Sequence, residues 1–340
     1  MADSVLVLDA PGAGVRLIVA AAPSLARAAA ERHGLAPGSA AALAQAMTGA
    51  LLLVAAEDAD PSGARVDVQL DCRGPLRGLL VDADGAGAVR GMVQVPDLDR
   101  GGSRLRAGAE EAPPPGPDLG AGAGAVALAR KPRLARFDAR ALLDGGELES
   151  AGMISVLRRI PGSDGELHRA LVPLAGADLA AGLTSFLQGD RSRAGHVSLE
   201  VLWRAGEPLA AVAGVMIAPL AEDDGAGARA LGDVLRGGGL ASLLERDEGE
   251  GAGNAHQISQ RIAAAHGLLP LQLRSELRPR FCCRCSRERF VRALRTLGAP
   301  ELLDMADKDG GAAATCDFCA ASYEVSAEEL VALAGMGERV

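Results

Sequence analysis

The residues best suited to chemistry in this chain are its cysteines, five of which gather near the carboxyl terminus. They form two groups separated by a longer stretch: Cys282, Cys283 and Cys285, then Cys316 and Cys319. Two close groups of thiols suit a tetrahedral zinc site, because each group can sit on a tight turn that presents two sulfurs to one ion. The sequence therefore predicts a zinc site, with structural disulfides as the alternative in a secreted protein.

The membership of the first pair stays open from spacing alone. Cys282 with Cys285 makes the common C-x-x-C knuckle, whereas Cys283 with Cys285 makes a tighter C-x-C. One cysteine of the first group is left over in either arrangement.

Arginines surround the first cysteine group. A zinc ion with four thiolate ligands carries a net charge of about −2, and positive neighbours stabilise thiolate sulfur, the form that oxidants attack. The sequence slightly favours electrostatic stabilisation of the thiolates by these arginines over the alternative that the arginines form an ordinary solvated surface. The arginines are Arg278, Arg280, Arg284, Arg287, Arg289, Arg292 and Arg295.

The start of the chain and its apolar runs bear on the compartment. The opening Met1-Ala2-Asp3-Ser4 does not resemble a signal peptide, and we identify no apolar run of about eighteen residues that would span a membrane. We therefore expect no membrane association and a cytoplasmic protein whose thiols stay reduced.

Composition narrows the function classes. The chain has 340 residues, 49% of them hydrophobic, so it can bury a core and form more than one unit. Aromatic residues make up 2% and the net charge is −9, which argues against a general nucleic-acid binder. No glycine-rich phosphate motif stands between a strand and a helix, so we expect no nucleotide.

Residues 1–219 predict a core domain that mixes antiparallel strands with helices. A hairpin over 4–21 leads into a helix that Ser24 caps and Gly34 ends, and a second helix follows from Ser39. Met47 is predicted as core filler on the apolar stripe of that helix. Cys72 is predicted as a small, part-buried side chain at a strand end. Further strands are predicted around 66–70, 79–81, 92–95, 152–157, 170–174, 197–203 and 209–217, with a helix at about 178–187.

Two stretches depart from a packed pattern. Residues 101–137 are rich in proline and glycine and predict an insertion that is disordered or loosely attached. Residues 220–279 are acidic and glycine-rich, yet their leucines can form short amphipathic helices that are marginal alone. This pattern predicts a metastable helical linker. Its His256 and His266 are not expected to bind metal, because four cysteines complete the site.

Residues 280–340 predict a small zinc domain. Ser286 caps a helix that Gly298 ends, Pro300 begins a short helix, and Ser326 with Glu329 forms a capping box for the last helix. The predicted fold class is α+β: a mixed, mainly antiparallel sheet core domain with helices, a metastable helical linker and a small carboxyl-terminal four-cysteine zinc domain.

Several motifs resemble the redox-regulated 33-kilodalton heat-shock chaperone family. In the zinc domain they are Phe281, Cys283-Arg284-Cys285-Ser286-Arg287-Glu288-Arg289, Leu297-Gly298, Glu301-Leu302, Cys316-Asp317-Phe318-Cys319 and Tyr323. In the core domain they are Arg16-Leu17-Ile18-Val19, Gly74-Pro75 and Val89-Arg90-Gly91. The chain departs from the family pattern at Cys282, in the 101–137 insertion, and at Phe186-Leu187-Gln188-Gly189-Asp190, which matches weakly.

The resemblance implies that Cys283, Cys285, Cys316 and Cys319 bind one zinc ion in the reduced protein. It further implies that oxidation pairs Cys283 with Cys285 and Cys316 with Cys319, after which a homodimer binds unfolded or partly folded client proteins without ATP. We hypothesise that oxidation ejects zinc and opens the linker, because disulfide sulfur is a poor ligand. Such a protein acts by binding and is not an enzyme.

Two other function classes remain as alternatives. A thiol-disulfide oxidoreductase would need an exposed C-x-x-C at the start of a helix, whereas Cys316-Cys319 is predicted to follow a turn and precede a strand, Tyr323-Glu324-Val325. A zinc-ribbon adaptor that binds nucleic acid or protein would suit the arginines but leaves the core domain unexplained.

Overall fold

The computed structural model describes residues 2–57, 63–98, 134–144, 152–159, 167–189, 195–204, 207–220, 225–245 and 253–336. It divides into two compact units, Met1–Phe281 and Cys282–Val340. Each unit combines helices with mainly antiparallel strands, which confirms the predicted α+β class.

Two six-stranded sheets organise the first unit. Its strands are β1 (Ser4–Ala10), β2 (Val15–Ala21), β3 (Arg65–Cys72), β4 (Gly78–Asp84), β5 (Ala88–Val93), β6 (Ala135–Arg136), β7 (Gly152–Arg159), β8 (Leu167–Pro173), β9 (His196–Arg204), β10 (Glu207–Pro219), β11 (Gln272–Leu277) and β12 (Arg280–Phe281). The first sheet has the order β11-β1-β2-β10-β9-β6 and is antiparallel throughout. The second has the order β12-β5-β4-β3-β7-β8, with one parallel pair, β12 on β5.

The predicted hairpin is β1 and β2, joined by the turn Pro11–Ala13 and Gly14 at φ 65°. Every residue of β1 is buried, because helices cover both faces of the first sheet. In the second sheet, β3 alternates instead. Its Val66, Val68 and Leu70 point into the core, as the period-two pattern predicts. The predicted meander is β3, β4 and β5. Strand β5 runs from Ala88 to Val93, so it begins earlier and ends earlier than the predicted strand 92–95.

The helices of the core are α1 (Pro23–His33), α2 (Pro37–Ala55), α3 (Arg140–Leu143) and α4 (Leu179–Gly189). Helix α2 packs against strands of both sheets, and Met47 is 1% exposed in the main cluster. A helix covered on all sides is apolar all round. The expectation that no apolar run reaches membrane-spanning length is therefore wrong, since α2 has both the length and the composition. Its most apolar window is 89% buried inside the protein, as in a core helix.

The amino terminus of α1 differs from the prediction. Ala22 occupies the N-cap position, and the carboxylate of Asp3 accepts hydrogen bonds from the backbone N–H groups of Ser24 (3.1 Å) and Leu25 (2.6 Å). The cap therefore comes from a residue before β1, which local spacing could not indicate. The predicted stop at Gly34 is confirmed, with φ 58°.

Most of the predicted insertion, residues 101–133, lies outside the described residues. Its predicted end at 137 is too late, because Ala135–Arg136 forms β6 and pairs with β9. Phe137 N–H also donates to the Val201 carbonyl at 2.9 Å. The Arg136 guanidinium holds this short strand through both oxygens of Glu200, at 2.6 Å each.

The segment predicted as a linker packs on the outer face of the first sheet. It contains α5 (Ala226–Val234), a π-helical turn (Leu235–Gly239), α6 (Leu240–Glu245) and α7 (Ala255–His266), whereas 221–224 and 246–252 lie outside the described residues. The predicted amphipathic helices are confirmed, and His256 and His266 are exposed. A wholly helical linker is wrong, because β11 follows and pairs with β1. Side chains of β11 are mostly exposed, so its sequence lacks the apolar alternation that marks a strand.

Candidate metal centre

The second unit is small and has a small apolar core. Its elements are α8 (Arg287–Arg295), α9 (Ala299–Lys308), β13 (Gly311–Thr315), β14 (Ser322–Ser326) and α10 (Ala327–Met336). Its buried apolar cluster consists of Leu294, Leu302, Val325, Leu330, Leu333 and Ala334. So small a cluster supplies little stability compared with the entropy cost of ordering the chain.

Local capping begins α8 and α10 as predicted. The prediction that Gly298 ends α8 is wrong, because Thr296 is the C-cap of α8 and Gly298, at φ 88°, is the N-cap of α9. The hydroxyl of Ser286 accepts a hydrogen bond from Arg289 N–H at 3.3 Å, and α9 has Pro300 in its first turn. Ser326 N–H donates to the Glu329 carboxylate at 2.9 Å, and Glu329 N–H donates back to the Ser326 hydroxyl at 3.3 Å. This is the predicted capping box.

The second cysteine pair lies on the turn that joins β13 to β14. Cys319 N–H and Ala320 N–H both donate to the Cys316 carbonyl, at 3.3 and 2.8 Å, and Ala320 has φ 56°. The prediction that this pair follows a turn is wrong, because it follows β13, a strand of glycine, alanine and threonine without a clear strand signature. The predicted strand after the pair is confirmed as β14.

The structure brings four sulfurs together. Those of Cys283, Cys285, Cys316 and Cys319 all lie within 4.8 Å of one another. Cys283 Sγ is 3.7 Å from Cys316 Sγ, and Cys285 Sγ is 3.2 Å from Cys319 Sγ. Four thiolates around one zinc ion, with Zn–S of about 2.3 Å, have sulfurs about 3.8 Å apart. The donor set and its spacing therefore fit zinc, and Cys282 stands outside the group.

Of the four cysteines, Cys319 is buried and the other three are half-buried. Burial raises the pKa of the Cys319 thiol to about 12, and burial is also the leading cause of the raised pKa of Cys316. The Tyr323 hydroxyl donates to Cys285 Sγ at 3.1 Å, and this bond raises the pKa of the tyrosine to about 12. A metal ion that binds here must displace thiol protons, so its affinity depends on pH.

The arginines near the first pair have contacts of their own. Arg287 bonds both oxygens of Glu329 at 2.7 Å, and Arg289 donates to a main-chain carbonyl at 2.7 Å. In the first unit, Arg278 pairs with Glu276 and Arg280 donates to a carbonyl of the β4–β5 turn. These contacts favour a structural role, and burial rather than an arginine leads both raised thiol pKa values.

Cys72 and Tyr323 are the remaining residues that bear on the site. Cys72 lies in the first unit, 9% exposed at the end of β3, as predicted, and burial is the main cause of its raised pKa. The bond from Tyr323 to Cys285 was missed by sequence reasoning. The alternation along β14 gives the face of the strand on which a residue lies, but it does not reveal which sulfur lies opposite.

Comparisons with known proteins agree with one another. The model of the Hsp33 protein family matches residues 3–326. A 33 kDa chaperonin of Cyanothece sp. is 31% identical over 336 residues, covering 98% of this chain and 97% of that protein. A 33 kDa chaperonin of Thermus thermophilus is 32% identical over 333 residues, covering 95% and 84%. A crystal structure of the 33 kDa chaperonin from Thermotoga maritima aligns over all of both chains with a TM-score of 0.68 and 17% identity, a likeness of fold.

Proposed function

Because the chain belongs to the Hsp33 protein family, whose members matched here are named chaperonins, we propose that it is a redox-regulated, ATP-independent holdase. In this proposal it is inactive when reduced and zinc-bound, and it binds unfolding proteins after oxidation. The observation that carries the regulatory part is the convergence of four cysteine sulfurs in a unit with a very small apolar core.

In the reduced state, Cys283, Cys285, Cys316 and Cys319 would hold one zinc ion. The ion supplies crosslinking between the two cysteine pairs, which stand on different segments of the unit. The segment before α8 and the β13–β14 turn are then held together at one point. In comparable small sites the metal contributes on the order of 10 kcal/mol to folding. The apolar cluster of this unit is too small to replace that contribution.

Oxidation is proposed to form two disulfides, Cys283 with Cys285 and Cys316 with Cys319. Each disulfide removes two electrons from a pair of thiolates, and one peroxide molecule accepts them together with two protons from solvent to give two waters. In the structure, the sulfurs at 3.7 and 3.2 Å join opposite pairs, Cys283 to Cys316 and Cys285 to Cys319. All four sulfurs lie within 4.8 Å of one another, so the proposed partners are also neighbours in this cluster and need only approach to the S–S bond length of about 2.05 Å.

The linker is proposed as the element that responds. Its π-helical turn contains Gly237, Gly238 and Gly239, with Gly238 at φ 112°, and glycine stabilises a helix poorly. The strand that follows the linker, β12, ends at Phe281, two residues before Cys283. When the second unit unfolds, the chain that follows β12 loses its order, and we expect the marginal linker to detach.

Detachment would uncover the outer face of the first sheet. This face carries buried apolar side chains, among them Leu6, Leu8, Leu17, Val19, Val215 and Ile217. An apolar face of this kind binds apolar segments of unfolding proteins without nucleotide or catalysis. The proposal includes a homodimer in the oxidised state, a cytoplasmic location, and the division into core domain 1–219, linker 220–279 and zinc domain 280–340.

The test measures zinc content and suppression of thermal aggregation of an unrelated protein on one preparation, before and after peroxide under mildly unfolding conditions. Zinc release with new anti-aggregation activity, both reversed by reductant, is the expected result. Retained zinc, or release without activity, would contradict the regulatory proposal. The oxidoreductase alternative is disfavoured, because Cys316 and Cys319 stand on a hairpin turn rather than at the start of a helix.

A further inference from the structure

We propose that the main-chain edge of β1 that β11 occupies is a binding site for extended segments of client proteins. The inference rests on the proposed holdase function and specifies how a client is held. In this structure, β11 is the internal occupant of the edge, and a client replaces it after the linker detaches.

The first observation is the exposure of β11. The side chains of its first five residues are exposed, including Leu273 at 54%, although the strand pairs with β1 at both of its ends, with a register shift at Arg274. Side-chain burial in the middle of this strand therefore contributes little to holding it on the edge of β1. The pairing depends on backbone hydrogen bonds, which any extended polypeptide can make.

The second observation is the state of β1. All seven of its residues are buried, from Ser4 to Ala10, and β2 occupies its other edge. A strand covered on both faces and on one edge offers a ligand only the remaining edge. With β11 gone, that edge would present unpaired N–H and C=O groups, a recognised template for pairing with another chain.

The third observation indicates which kind of peptide segment fits the edge of β1. Leu271 packs against the apolar cluster that the outer face of the first sheet forms together with α5, α6 and α7, and Leu277 packs against the main core cluster. Between them the ladder shifts register at Val7 and Leu8, and the ion pair of Arg274 with Asp9, at 3.3 Å, involves an arginine that is 59% exposed. The preferred ligand is thus an extended segment with apolar residues six positions apart and one bulged residue between them, because the two apolar side chains pack on opposite faces of the sheet. It places little demand on the other residues between them. Unfolded chains contain many such segments.

The probe is a fluorescent peptide with the sequence of residues 271–278, added to the oxidised, zinc-released full-length protein. Two single N-methyl peptides, at Ser275 and at Glu276, form a matched pair. Neighbouring N–H groups of a strand point in opposite directions, so one methyl enters the β1 edge and the other faces solvent. We expect one peptide to bind about tenfold or more weakly and the other to bind as the parent does.

Two further peptides test the ligand rule. Shuffling residues 272–276 should leave affinity within about threefold, whereas alanine at both Leu271 and Leu277 should weaken binding about tenfold or more. An unfolded client protein should displace the parent peptide in proportion to its anti-aggregation protection.

Equal effects of the two N-methyl groups, or no displacement by client, would overturn the edge proposal. Binding that disappears as the oxidised protein self-associates would assign the edge to a second copy of the chain and also overturn it. The same preparation is assayed for anti-aggregation activity. Anti-aggregation activity with equal effects of the two N-methyl groups refutes only the proposal that clients bind the β1 edge. Unequal effects without anti-aggregation activity refute the holdase function and leave an edge that binds peptides.

Discussion

The two units of this protein solve the problem of stability in different ways. The first buries α2 between two six-stranded sheets, in a cluster with Leu51, Leu52 and Val54 fully covered. The second has, among its described residues, a buried cluster of six apolar side chains and four converging cysteine sulfurs. Apolar burial does not depend on redox conditions, whereas a thiolate site does. Under the proposed function, this difference would let one chain contain a permanent scaffold and an element that responds to oxidation.

Removing one ligand should break the second unit and spare the first. We expect Cys316→Ser to lose bound zinc and the order of the second unit, a loss on the order of 10 kcal/mol. Cys282→Ser is the matched control, because this neighbouring cysteine lies outside the four-sulfur group, and it should keep one zinc per chain. Zinc content by metal analysis and amide hydrogen exchange of each unit check both variants. Zinc loss in Cys282→Ser would show that the ligand set is wrongly assigned.

A substitution that creates a cavity beside α2 should destabilise the first unit and spare the second. Leu51 is fully buried between the sheets, so Leu51→Ala should reduce the unfolding free energy of the first unit by about 2–5 kcal/mol. The zinc content of the folded protein should not change. Trp203, the single tryptophan, lies in β9 and reports the first unit in urea unfolding. If Leu51→Ala also released zinc under native conditions, the two units would not be independently stabilised.

A buried carboxyl group makes the first unit sensitive to pH. Burial raises the pKa of Glu200 to about 7, although Arg136 bonds both of its oxygens, because that arginine is 49% exposed and screened by water. The folded unit then favours the protonated carboxyl, so this stabilisation is present below about pH 4.5 and is lost as pH rises through 7. We expect a loss of about 1–3 kcal/mol between pH 5 and pH 8.

The matched variant is Glu200→Gln, which stays neutral at every pH. In urea titrations followed by Trp203 fluorescence, the variant should lack the part of the pH slope that Glu200 contributes. Parallel pH profiles for the two proteins would show that the carboxyl is not responsible.

Local pattern predicted much of the secondary structure and of the cysteine cluster. The β1–β2 hairpin, α2, the capping of α8 and α10 and the helices of the linker depend on residues close in sequence. The two-group spacing of the cysteines predicted which segments converge. The choice of Cys283 over Cys282 as a ligand came from the family resemblance and stays a proposal. In the structure the sulfur of Cys283, and not that of Cys282, belongs to the four-sulfur group.

What sequence reasoning missed depends on partners distant in the chain. Strand β11 is held by the edge of β1 and has exposed side chains, so its own pattern does not indicate a strand. The length and composition of α2 would suit a membrane, and only its position between two sheets explains them. Strand β6 follows a glycine-rich stretch, and its partners, the backbone of β9 and the Glu200 side chain bonded by Arg136, are distant in the chain.

The cap of α1 gives the smallest predicted effect and the clearest contrast between a local and a distant interaction. Asp3→Ala removes the acceptor for two backbone N–H groups at the start of α1 and should destabilise the first unit by about 1 kcal/mol. Asp3→Asn keeps one acceptor oxygen and should lose less. Ser24→Ala should be nearly neutral, because the Ser24 side chain does not occupy the N-cap position. Urea unfolding followed by Trp203 fluorescence ranks the three variants. A larger loss of unfolding free energy for Ser24→Ala than for Asp3→Ala would show that Ser24, and not Asp3, caps α1.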